Sequence, residues 1–406
     1  MSSMSLSEEL AWRGFVNQTT FKDITAIDNQ SLSFYFGVDP SADSMTIGNL
    51  AAAMMVRLFM QHGHKATLLI GGATGLIGDP DGKKQERDLK SIEEVQANTA
   101  SIVAQYDIVF SGMNFDVVNN YDWFKDISYL DFLYTVGKHV PMSAMVGREF
   151  VQSRIAEGGA GISYAEFSYS LIQGYDFLHL YREKGVTLQV SGADQWGNSI
   201  AGVDLIRRIE GAEAHVWTVP LVVNKTTGVK FGKSEDGAIW LDSSKTSPYK
   251  FYQFWLNCDD AGSIDYLKVY TTLTREQIEA IEAEFLANPS DRLAQKTLAY
   301  EVTKLIHGEA IANDQKRIAD ILFGTKNYAD LDAELLQLLE SELPFTEARQ
   351  GDSYVDVLVA TGLATSKRQA REFIINGAVW NADIAQIEQT DQTLDTTKSY
   401  SNYVIL

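Results

Sequence analysis

Residues 33–50 read SFYFGVDPSADSMTIGNL, and this stretch decides the fold. The first six residues, SFYFGV, have the aromatic-rich composition of a strand. A turn follows at Asp39 and Pro40, and a helix is predicted from about residue 47 to residue 62, with Gly63 as its stop. A strand that leads through a short turn into a helix is typical of α/β proteins with a parallel sheet.

The same pattern recurs farther along the chain. Residues 66–70 form the next predicted strand and end at a pair of glycines. Residues 186–190 form another strand, and a helix follows near residues 198–209. These repeated strand–loop–helix units predict a doubly wound, Rossmann-like parallel sheet, which binds ligands at the carboxyl ends of its strands.

The second half of the chain changes character from about residue 245, where helical periodicity dominates. Ser290 is the predicted N-cap of one helix, and Gly308 ends that helix. Residues 326–352 have weak periodicity and are interpreted as a linker. A compact α+β unit follows, with helices predicted at 355–360 and 366–376 and strand-like runs after them. We therefore predict a Rossmann-like domain, a helical domain, a linker and a small C-terminal domain, at residues 1–225, 226–325, 326–352 and 353–406.

Composition excludes several classes of protein. The 406 residues are 45% hydrophobic and 22% charged, which is an ordinary globular composition with enough apolar material for a core. No apolar run approaches the roughly 18–20 residues of a membrane span. The polar, acidic residues 1–9 predict neither a signal peptide nor a transit peptide. With Cys258 as the single cysteine, an intramolecular disulfide is impossible, which favours a reducing cytoplasm.

The charge is strongly acidic, since 34 basic residues stand against 54 acidic ones and the net charge is −20. Such a field disfavours general adhesion to DNA, RNA or anionic lipid. A local basic patch can still bind nucleic acid despite this overall negative charge. Solubility is the simpler explanation of the acidic excess.

Gly48 lies in the first turn of the helix predicted after the first strand, where glycine is about 1 kcal/mol less favourable than alanine. Close approach of a flat ligand would explain this glycine. Free amides at the helix start, with the Ser41 and Thr46 hydroxyls nearby, suit phosphate oxygens. Tight packing of the helix on the sheet explains the glycine equally well.

A second candidate segment is KFGKS, residues 230–234, in a polar stretch that predicts a loop. Lysines on such a loop can close over a triphosphate and neutralise the charge that develops on a leaving pyrophosphate. For the KFGKS segment alone, a solvated surface loop is the simpler interpretation.

Together the two segments resemble the HIGH and KMSKS signatures of class I aminoacyl-tRNA synthetases, in the right order. The whole chain resembles tyrosyl-tRNA synthetases of the bacterial type. The runs that carry the resemblance are WRG (12–14), NQTT (17–20), GGATGLIGDP (71–80), NNYDW (119–123), FSYSLIQGYD (167–176), GADQWGN (192–198), TSPY (246–249) and SKRQAR (366–371).

The resemblance implies activation of L-tyrosine by ATP and transfer of tyrosine to tRNA(Tyr). It implies that Tyr35 and Asp176 hold the substrate phenol. The residues expected to bind tyrosine are Tyr35, Asp79, Tyr169, Gln173, Asp176 and Gln195. Those expected to bind ATP are Asp39, Ser41, Gly48, Asn49, Asp194 and Lys233. Those expected to act in catalysis are Lys230, Lys233, Ser234, Lys83, Arg87 and Thr46.

The resemblance also implies partners. A homodimer would form through residues 130–164, and an S4-like tail, residues 353–406, would bind RNA through Lys367, Arg368 and Arg371. Mg²⁺ would arrive with ATP, and we expect no protein-held metal, because no cluster of His, Cys and Asp suggests one. DNA and membranes are not expected partners.

Two features depart from the family pattern. Thr46 and Asn49 stand where the family has histidines, and threonine offers one short donor in place of an imidazole. Residues 345–406 hold five basic and eight acidic residues, whereas the family's tail is usually more basic. Two alternatives therefore stay open. One is a paralogue that activates tyrosine without charging tRNA, and the other is a non-catalytic RNA-binding or regulatory relative.

Overall fold

The computed structural model describes residues 4–80, 90–234, 237–323, 331–381, 385–397 and 403–406. The chain divides into two compact units. The first unit comprises Met1–Ser247 and Trp255–Ile306, and the second comprises Pro248–Phe254 and His307–Leu406. The four domain boundaries expected from the sequence stay predictions.

The first unit is built on a five-stranded sheet in which every neighbouring pair is parallel, in the order β3-β2-β1-β4-β5. The strands are β1 (Ser33–Val38), β2 (Lys65–Ile70), β3 (Phe115–Asn119), β4 (Leu188–Gly192) and β5 (His215–Val219). This order reverses direction between β1 and β4. The carboxyl ends of these two strands therefore form the crevice where doubly wound sheets bind ligands.

Helices connect and cover these strands. In the first unit they are α1 (Leu6–Arg13), α2 (Ile47–Gln61), α3 (Thr74–Ile77), α4 (Ile92–Val109), α5 (Tyr121–Phe124), α6 (Tyr129–Thr135), α7 (Met142–Val146), α8 (Glu149–Ile155), α9 (Tyr164–Lys184), α10 (Trp196–Glu210), α12 (Ser263–Tyr270), α13 (Arg275–Ala287) and α14 (Leu293–His307, which ends at the boundary). Helix α11 (Pro248–Leu256) begins in the second unit, which also contains α15 (Glu309–Leu322), α16 (Ala333–Glu342), α17 (Tyr354–Ala360) and α18 (Lys367–Ile375). Among the described residues, two short antiparallel pairs are β6 (Lys233–Ser234) with β7 (Gly237–Ala238), and β8 (Trp380–Asn381) with β9 (Ala385–Gln386).

Helices α9 and α10 pack closely, and glycine permits their approach. A Cβ on Gly202 would lie 2.8 Å from the Cβ of Phe177, and a Cβ on Gly174 would lie 3.1 Å from Leu205 Cδ1. Ser163 caps the start of α9, and its hydroxyl accepts from the Glu166 backbone N–H. This packing holds the face of α9 that carries the predicted site residues beside the start of α10.

Two local features of the structure differ from expectation. Ser290 lies inside a short 3₁₀ helix, Pro289–Asp291, and α14 begins only at Leu293 because Arg292 adopts a left-handed conformation with φ 54°. Residues 326–352, which we interpret as a linker, also contain α16, a helix that the sequence analysis did not predict. Asp332 caps that helix, and its leucines pack on Ile318 and Ile321. The helical signal was present in the sequence, since leucines at positions 331, 335, 338 and 339 recur at three- and four-residue steps.

The C-terminal part of the second unit has the two predicted helices, α17 and α18, with a turn at Gly362 where φ is 77°. Ser366 caps α18 through the Gln369 backbone N–H. The small core of this part is formed by Tyr354, Val355, Leu358, Ala364, Ala370, Ile374, Val379, Ile387 and Leu394. In the part of the chain that the structure describes, no helix is both long and apolar enough to cross a bilayer.

Candidate active site

A cavity of about 540 Å³ opens at the carboxyl ends of β1 and β4, within the first unit. Thirteen residues that the sequence nominated line it, although they come from five separate segments. They are Tyr35, Asp39, Ser41, Thr46, Gly48, Asn49, Asp79, Tyr169, Gln173, Asp176, Asp194, Gln195 and Lys230. The fold therefore brings the two signature segments and the face of α9 to one place.

Asp176 lies at one end of this cavity and is only 1% exposed. Its Oδ2 accepts from Asn120 Nδ2 at 3.1 Å, and its Oδ1 accepts from the indole N–H of Trp123 at 3.0 Å. Burial raises the pKa of the Asp176 carboxyl well above its usual range, and the bonds from Asn120 and Trp123 offset this only in part. The carboxylate is thus fixed in position but poorly solvated.

Tyr35, on β1, is 1% exposed, and its hydroxyl has no hydrogen-bond partner among the described residues. Burial, and then the charge of Asp176, raise the pKa of the Tyr35 phenol well above its ordinary value. A buried hydroxyl without a partner is unfavourable by about 1–3 kcal/mol. This end of the cavity therefore offers a carboxylate and an unpaired hydroxyl to a polar group of a ligand.

Asp39 directly follows β1, and its carboxylate bonds to a side chain of α9. Its Oδ2 accepts from the Tyr169 hydroxyl at 2.6 Å, and its Oδ1 accepts from the Thr74 hydroxyl at 2.6 Å. A Cβ on Gly71 would come within 2.0 Å of Asp39 Oδ1, so only glycine leaves room for this carboxylate. Burial, followed by the charges of Asp39 and Asp79, raises the pKa of Tyr169 well above its ordinary value. Tyr169 is therefore held as a neutral donor.

Asp79 is the third carboxylate at this end of the cavity, after Asp176 and Asp39. Its Oδ2 accepts from Gln195 Nε2 at 2.5 Å. Gln173, one helical turn after Tyr169 on α9, has an Oε1 that is buried without a hydrogen-bond partner among the described residues. Acceptor oxygens from Asp79 and Gln173, with the nearby Tyr169 hydroxyl, form a set that suits an ammonium group.

The other end of the cavity is formed by the start of α2. Thr46 precedes the helix, and both its backbone N–H and its hydroxyl donate to Asn49 Oδ1 at 2.9 Å. The Asn49 oxygen is therefore occupied, which leaves its amide N–H₂ group as the donor it can present to a ligand. The Thr46 hydroxyl proton is also in use. In this arrangement Thr46 orients Asn49 and does not itself offer a donor to the cavity.

Lys230 lines the same end and is carried by a short hairpin, in which Asn224 N donates to the Val229 carbonyl at 2.8 Å. The ring of Phe231 stacks on Tyr266 with 4.2 Å between centroids. A Cβ on Gly232, where φ is +93°, would lie 2.7 Å from Ile47 Cγ1. The KFGKS segment thus packs directly on the start of α2.

Several nominated residues fall elsewhere. Lys83 and Arg87 lie outside the described residues, as do the side chains of Lys233 and Ser234. The nominated RNA-binding residues lie on α18 in the second unit. There Lys367 pairs with Asp356 at 2.6 Å, and Arg368 pairs with Glu372 at 3.1 Å, while Arg371 is exposed.

Sequence reasoning missed four polar residues of the site. Asn120 and Trp123 belong to the quoted run NNYDW but received no role there, and Thr74 belongs to GGATGLIGDP. Gln189 lies next to Tyr35 in the register of β1 and β4, lines the cavity, and has a buried Oε1 without a partner among the described residues. A glutamine between Leu188 and Val190 in a buried strand was the available signal. Across the described part of the chain, no group of three or more His, Cys, Asp or Glu residues could hold a metal ion.

Comparison with known proteins gives a consistent result. Residues 28–324 match the family model "tRNA synthetases class I (W and Y)", and residues 334–406 match "Tyrosine--tRNA ligase SYY-like C-terminal domain". The chain is 48% identical over 385 residues to the tyrosine–tRNA ligase of Geobacillus stearothermophilus, covering 93% of this chain and 91% of that protein. It is 42% identical over 411 residues to that of Limosilactobacillus fermentum, covering 99% and 97%. The chain belongs to the tyrosyl-tRNA synthetase family.

Solved structures agree with this membership. A C-terminally truncated mitochondrial tyrosyl-tRNA synthetase from Aspergillus nidulans matches with a TM-score of 0.72 and 30% identity, covering 79% of this chain and 95% of that one. A tryptophanyl-tRNA synthetase from Encephalitozoon cuniculi matches with a TM-score of 0.54 and 12% identity, covering 77% and 89%. The second likeness shows the shared fold alone. The expected α/β fold and the expected tyrosyl-tRNA synthetase family are thereby confirmed.

Proposed function

We propose that the cavity binds L-tyrosine and ATP, forms tyrosyl-adenylate, and transfers the tyrosyl group to tRNA(Tyr). The observation that carries this proposal is the pairing of a buried carboxylate, Asp176, with the unpartnered hydroxyl of Tyr35 at one end of the cavity. This is the chemistry that a phenol recognises, since its hydroxyl both donates and accepts. Phenylalanine would leave the Tyr35 hydroxyl without a partner and would add no hydrogen bond to the buried Asp176 carboxylate, which is unfavourable.

The substrate ammonium group would be bound by Asp79, Tyr169 and Gln173, whose oxygens face the same cavity. Asp39 accepts a 2.6 Å hydrogen bond from the Tyr169 hydroxyl and so holds the Tyr169 side chain in place. Gln195, which donates to Asp79 in the free protein, would contact the substrate carboxylate with its amide. Contacts to the phenol, the ammonium group and the carboxylate of tyrosine would together define its orientation toward ATP.

The nucleotide would lie between the start of α2 and β4. Asp194 would accept from the ribose hydroxyls, Gly48 would permit close approach, and backbone amides near Asp39 and Ser41 would contact phosphate oxygens. Asn49 would contribute its amide N–H₂ group. ATP would arrive as its Mg²⁺ complex.

The reaction needs no general base, because the tyrosine carboxylate is already ionised. One carboxylate oxygen attacks the α-phosphorus of ATP, a new O–P bond forms, and the bond to the β-phosphate bridging oxygen breaks to release pyrophosphate. Lys230, with Lys83, Arg87, Lys233 and Ser234, would stabilise the charge on the departing pyrophosphate. A terminal ribose hydroxyl of tRNA then attacks the tyrosyl carbonyl carbon, and AMP leaves.

For tRNA binding we assign the tail, where Arg371 is exposed and Lys367 and Arg368 lie on the same helix. Because Lys367 and Arg368 already pair with carboxylates, their contribution would be modest and sensitive to salt. The function proposed here belongs in the cytoplasm, where tRNA is charged.

We also assign a homodimer to residues 130–164. This segment exposes large apolar side chains, which is typical of protein interfaces. They include Leu130, Tyr134, Met142 and Tyr164, all more than 60% exposed. Sedimentation of the purified protein at micromolar concentration should give a species of twice the chain mass.

The experiment that tests the function measures tyrosine-dependent exchange of labelled pyrophosphate into ATP, followed by charging of tRNA(Tyr). Exchange and charging together support the proposal. Exchange without charging would favour the paralogue that activates tyrosine for another acceptor. Absence of exchange by a folded protein at high concentration would favour the non-catalytic relative and overturn the proposal.

A further inference from the structure

A series of hydrogen bonds connects the apolar segment 130–164 with the tyrosine end of the cavity. Arg148 Nη1 donates to Asn198 Oδ1 at 2.7 Å. Asn198 Nδ2 donates to Gln195 Oε1 at 3.2 Å, and Gln195 Nε2 donates to Asp79 Oδ2 at 2.5 Å. We call these four side chains the amide relay. All of them belong to the first unit.

The two ends of the amide relay impose one direction on it. A guanidinium has only donors, and a carboxylate has only acceptors. The two amides between them must therefore both present oxygen toward Arg148 and nitrogen toward Asp79. Reversal of either amide would place two oxygens or two nitrogens against each other, which loses a hydrogen bond and adds repulsion.

The middle of the amide relay is well buried, since Asn198 is 3% exposed. Arg148 is partly exposed and also donates through Nη2 to the Gly197 carbonyl at the start of α10. It lies between α7 and α8, next to a second cavity of about 220 Å³ that Trp196 and Arg208 also line. The Arg148 guanidinium, which is bonded to the start of α10, can thus fix the Asn198 amide, although Asn198 does not line the substrate cavity.

We propose that Arg148 and Asn198 are positioning residues for tyrosine binding: they fix the Gln195 amide, and through it Asp79, in the orientation that binds the amino acid. This inference rests on the proposed function, in which Gln195 and Asp79 contact the substrate. Neither Arg148 nor Asn198 lines the substrate cavity. Their effect on tyrosine is therefore exerted through Gln195.

The first test compares Arg148→Met with the wild type in pyrophosphate exchange. The methionine keeps an unbranched, flexible side chain, although a shorter one, and removes every donor. We expect the KM for tyrosine to rise by about tenfold, as for the loss of one charged hydrogen bond, with the KM for ATP unchanged and kcat within about threefold. Arg148→Lys, which keeps one donor, should recover part of the tyrosine affinity. Arg208→Met, on the rim of the same second cavity, should leave both KM values unchanged.

The second test reverses the direction of the amide relay. Asn198→Asp still accepts from Arg148, but it presents an oxygen where Gln195 requires a donor. The Gln195 amide must then turn its own nitrogen away from Asp79. We expect a rise in the tyrosine KM at least as large as that for Arg148→Met. In a Gln195→Ala background, both substitutions should change the tyrosine KM by less than about twofold, since their route to the substrate is gone.

Titration of L-tyrosine by calorimetry, without ATP, separates the possible failures. If the wild type binds tyrosine and Arg148→Met binds it equally well with an unchanged melting temperature, the amide relay has no positioning role and the proposed function stands. An effect of Arg148→Met that persists undiminished in the Gln195→Ala background would also overturn the relay. If the wild type binds no tyrosine, the proposed function and this inference both fail.

Discussion

The two ends of the cavity are built differently. At the tyrosine end, which comprises Tyr35, Asp79, Tyr169, Gln173 and Asp176, the carboxylates accept hydrogen bonds from neighbouring side chains. At the nucleotide end, which comprises Ser41, Thr46, Asn49, Asp194 and Lys230, the side chains come from a helix start and from loops. The carboxylates of the tyrosine end are thus held in place before any ligand binds, whereas at the nucleotide end Thr46 bonds to Asn49 and Lys230 is carried by a loop.

Because of this difference, we assign selectivity for tyrosine over phenylalanine to the tyrosine end and the rate of adenylate formation to the nucleotide end. Discrimination between tyrosine and phenylalanine requires buried polar groups in fixed positions, because only these are left unpaired by the wrong ligand. Stabilisation of a departing pyrophosphate requires cations that move onto it. The departures from the family pattern, Thr46 and Asn49, lie at the nucleotide end. We therefore expect selectivity to be that of the family and the rate of adenylate formation to carry any penalty.

The largest expected effect comes from Asp176→Asn. The amide keeps the size of the carboxyl but removes its charge and one acceptor for Asn120 or Trp123. We expect kcat/KM for tyrosine in pyrophosphate exchange to fall by about 100- to 1,000-fold, or about 3–4 kcal/mol. Asp116→Asn, at an exposed carboxylate paired with Lys184 at 2.8 Å, is the matched control and should have no effect. A tyrosine kcat/KM within threefold of the wild type would remove Asp176 from the phenol site.

Lys230→Ala tests the nucleotide end. Loss of one cation that acts on the departing pyrophosphate should lower the rate of adenylate formation by about 100-fold, measured by rapid quench, without changing the dissociation constant for tyrosine. Lys225→Ala provides the control, because that lysine lies on the same hairpin but pairs with Asp265 at 3.0 Å. Equal loss of tyrosine affinity and rate would contradict the separation of the two ends.

Tyr35→Phe should have opposite effects on function and stability. Removal of its hydroxyl deletes one contact to the substrate phenol, so the preference for tyrosine over phenylalanine should drop by about tenfold. The same hydroxyl is buried without a partner among the described residues, so the free energy of unfolding should stay the same or rise by about 1 kcal/mol. Urea denaturation measures the free energy of unfolding, and exchange assays with tyrosine and phenylalanine in competition measure the preference. A clear loss of stability would show that the hydroxyl is paired in the free protein.

The smallest effect concerns pH. Because the folded-state pKa of Asp176 is raised, the folded protein binds a proton more tightly than the unfolded chain. The contribution of this group to the free energy of unfolding is therefore present at low pH and is lost as pH rises from about 4 toward the raised pKa. Relative to the wild type, Asp176→Asn should become progressively more stable across that range. Parallel pH profiles for the two proteins would contradict a raised pKa.

Much of the fold and of the membership of the site could be predicted from the sequence. Strand β1 and helix α2 begin at the predicted residues, since an aromatic-rich run and a sharp polar turn are local signals. Residues 169, 173 and 176 share one face of α9 and do line one cavity. The roles of the individual residues stay predictions.

What the sequence could not supply depends on contacts between distant segments. The Thr46 hydroxyl was expected to face phosphate, but its partner is Asn49, a pairing that depends on side-chain orientation. Asn120 reaches Asp176 across 56 positions in the chain, and Arg148 reaches Asn198 across 50. No local pattern encodes such pairs. Helix α16 is a different case, because its N-cap Asp332 and its leucines at three- and four-residue steps are local signals that the sequence does carry.

The most direct test of the central claim is calorimetric titration of the wild-type protein with L-tyrosine and, separately, with L-phenylalanine, both without ATP. The claim is that the tyrosine end is complete and selective in the free protein. We predict saturable binding of L-tyrosine and no detectable binding of L-phenylalanine at the same concentrations. Equal binding of the two amino acids, or of neither, would contradict it.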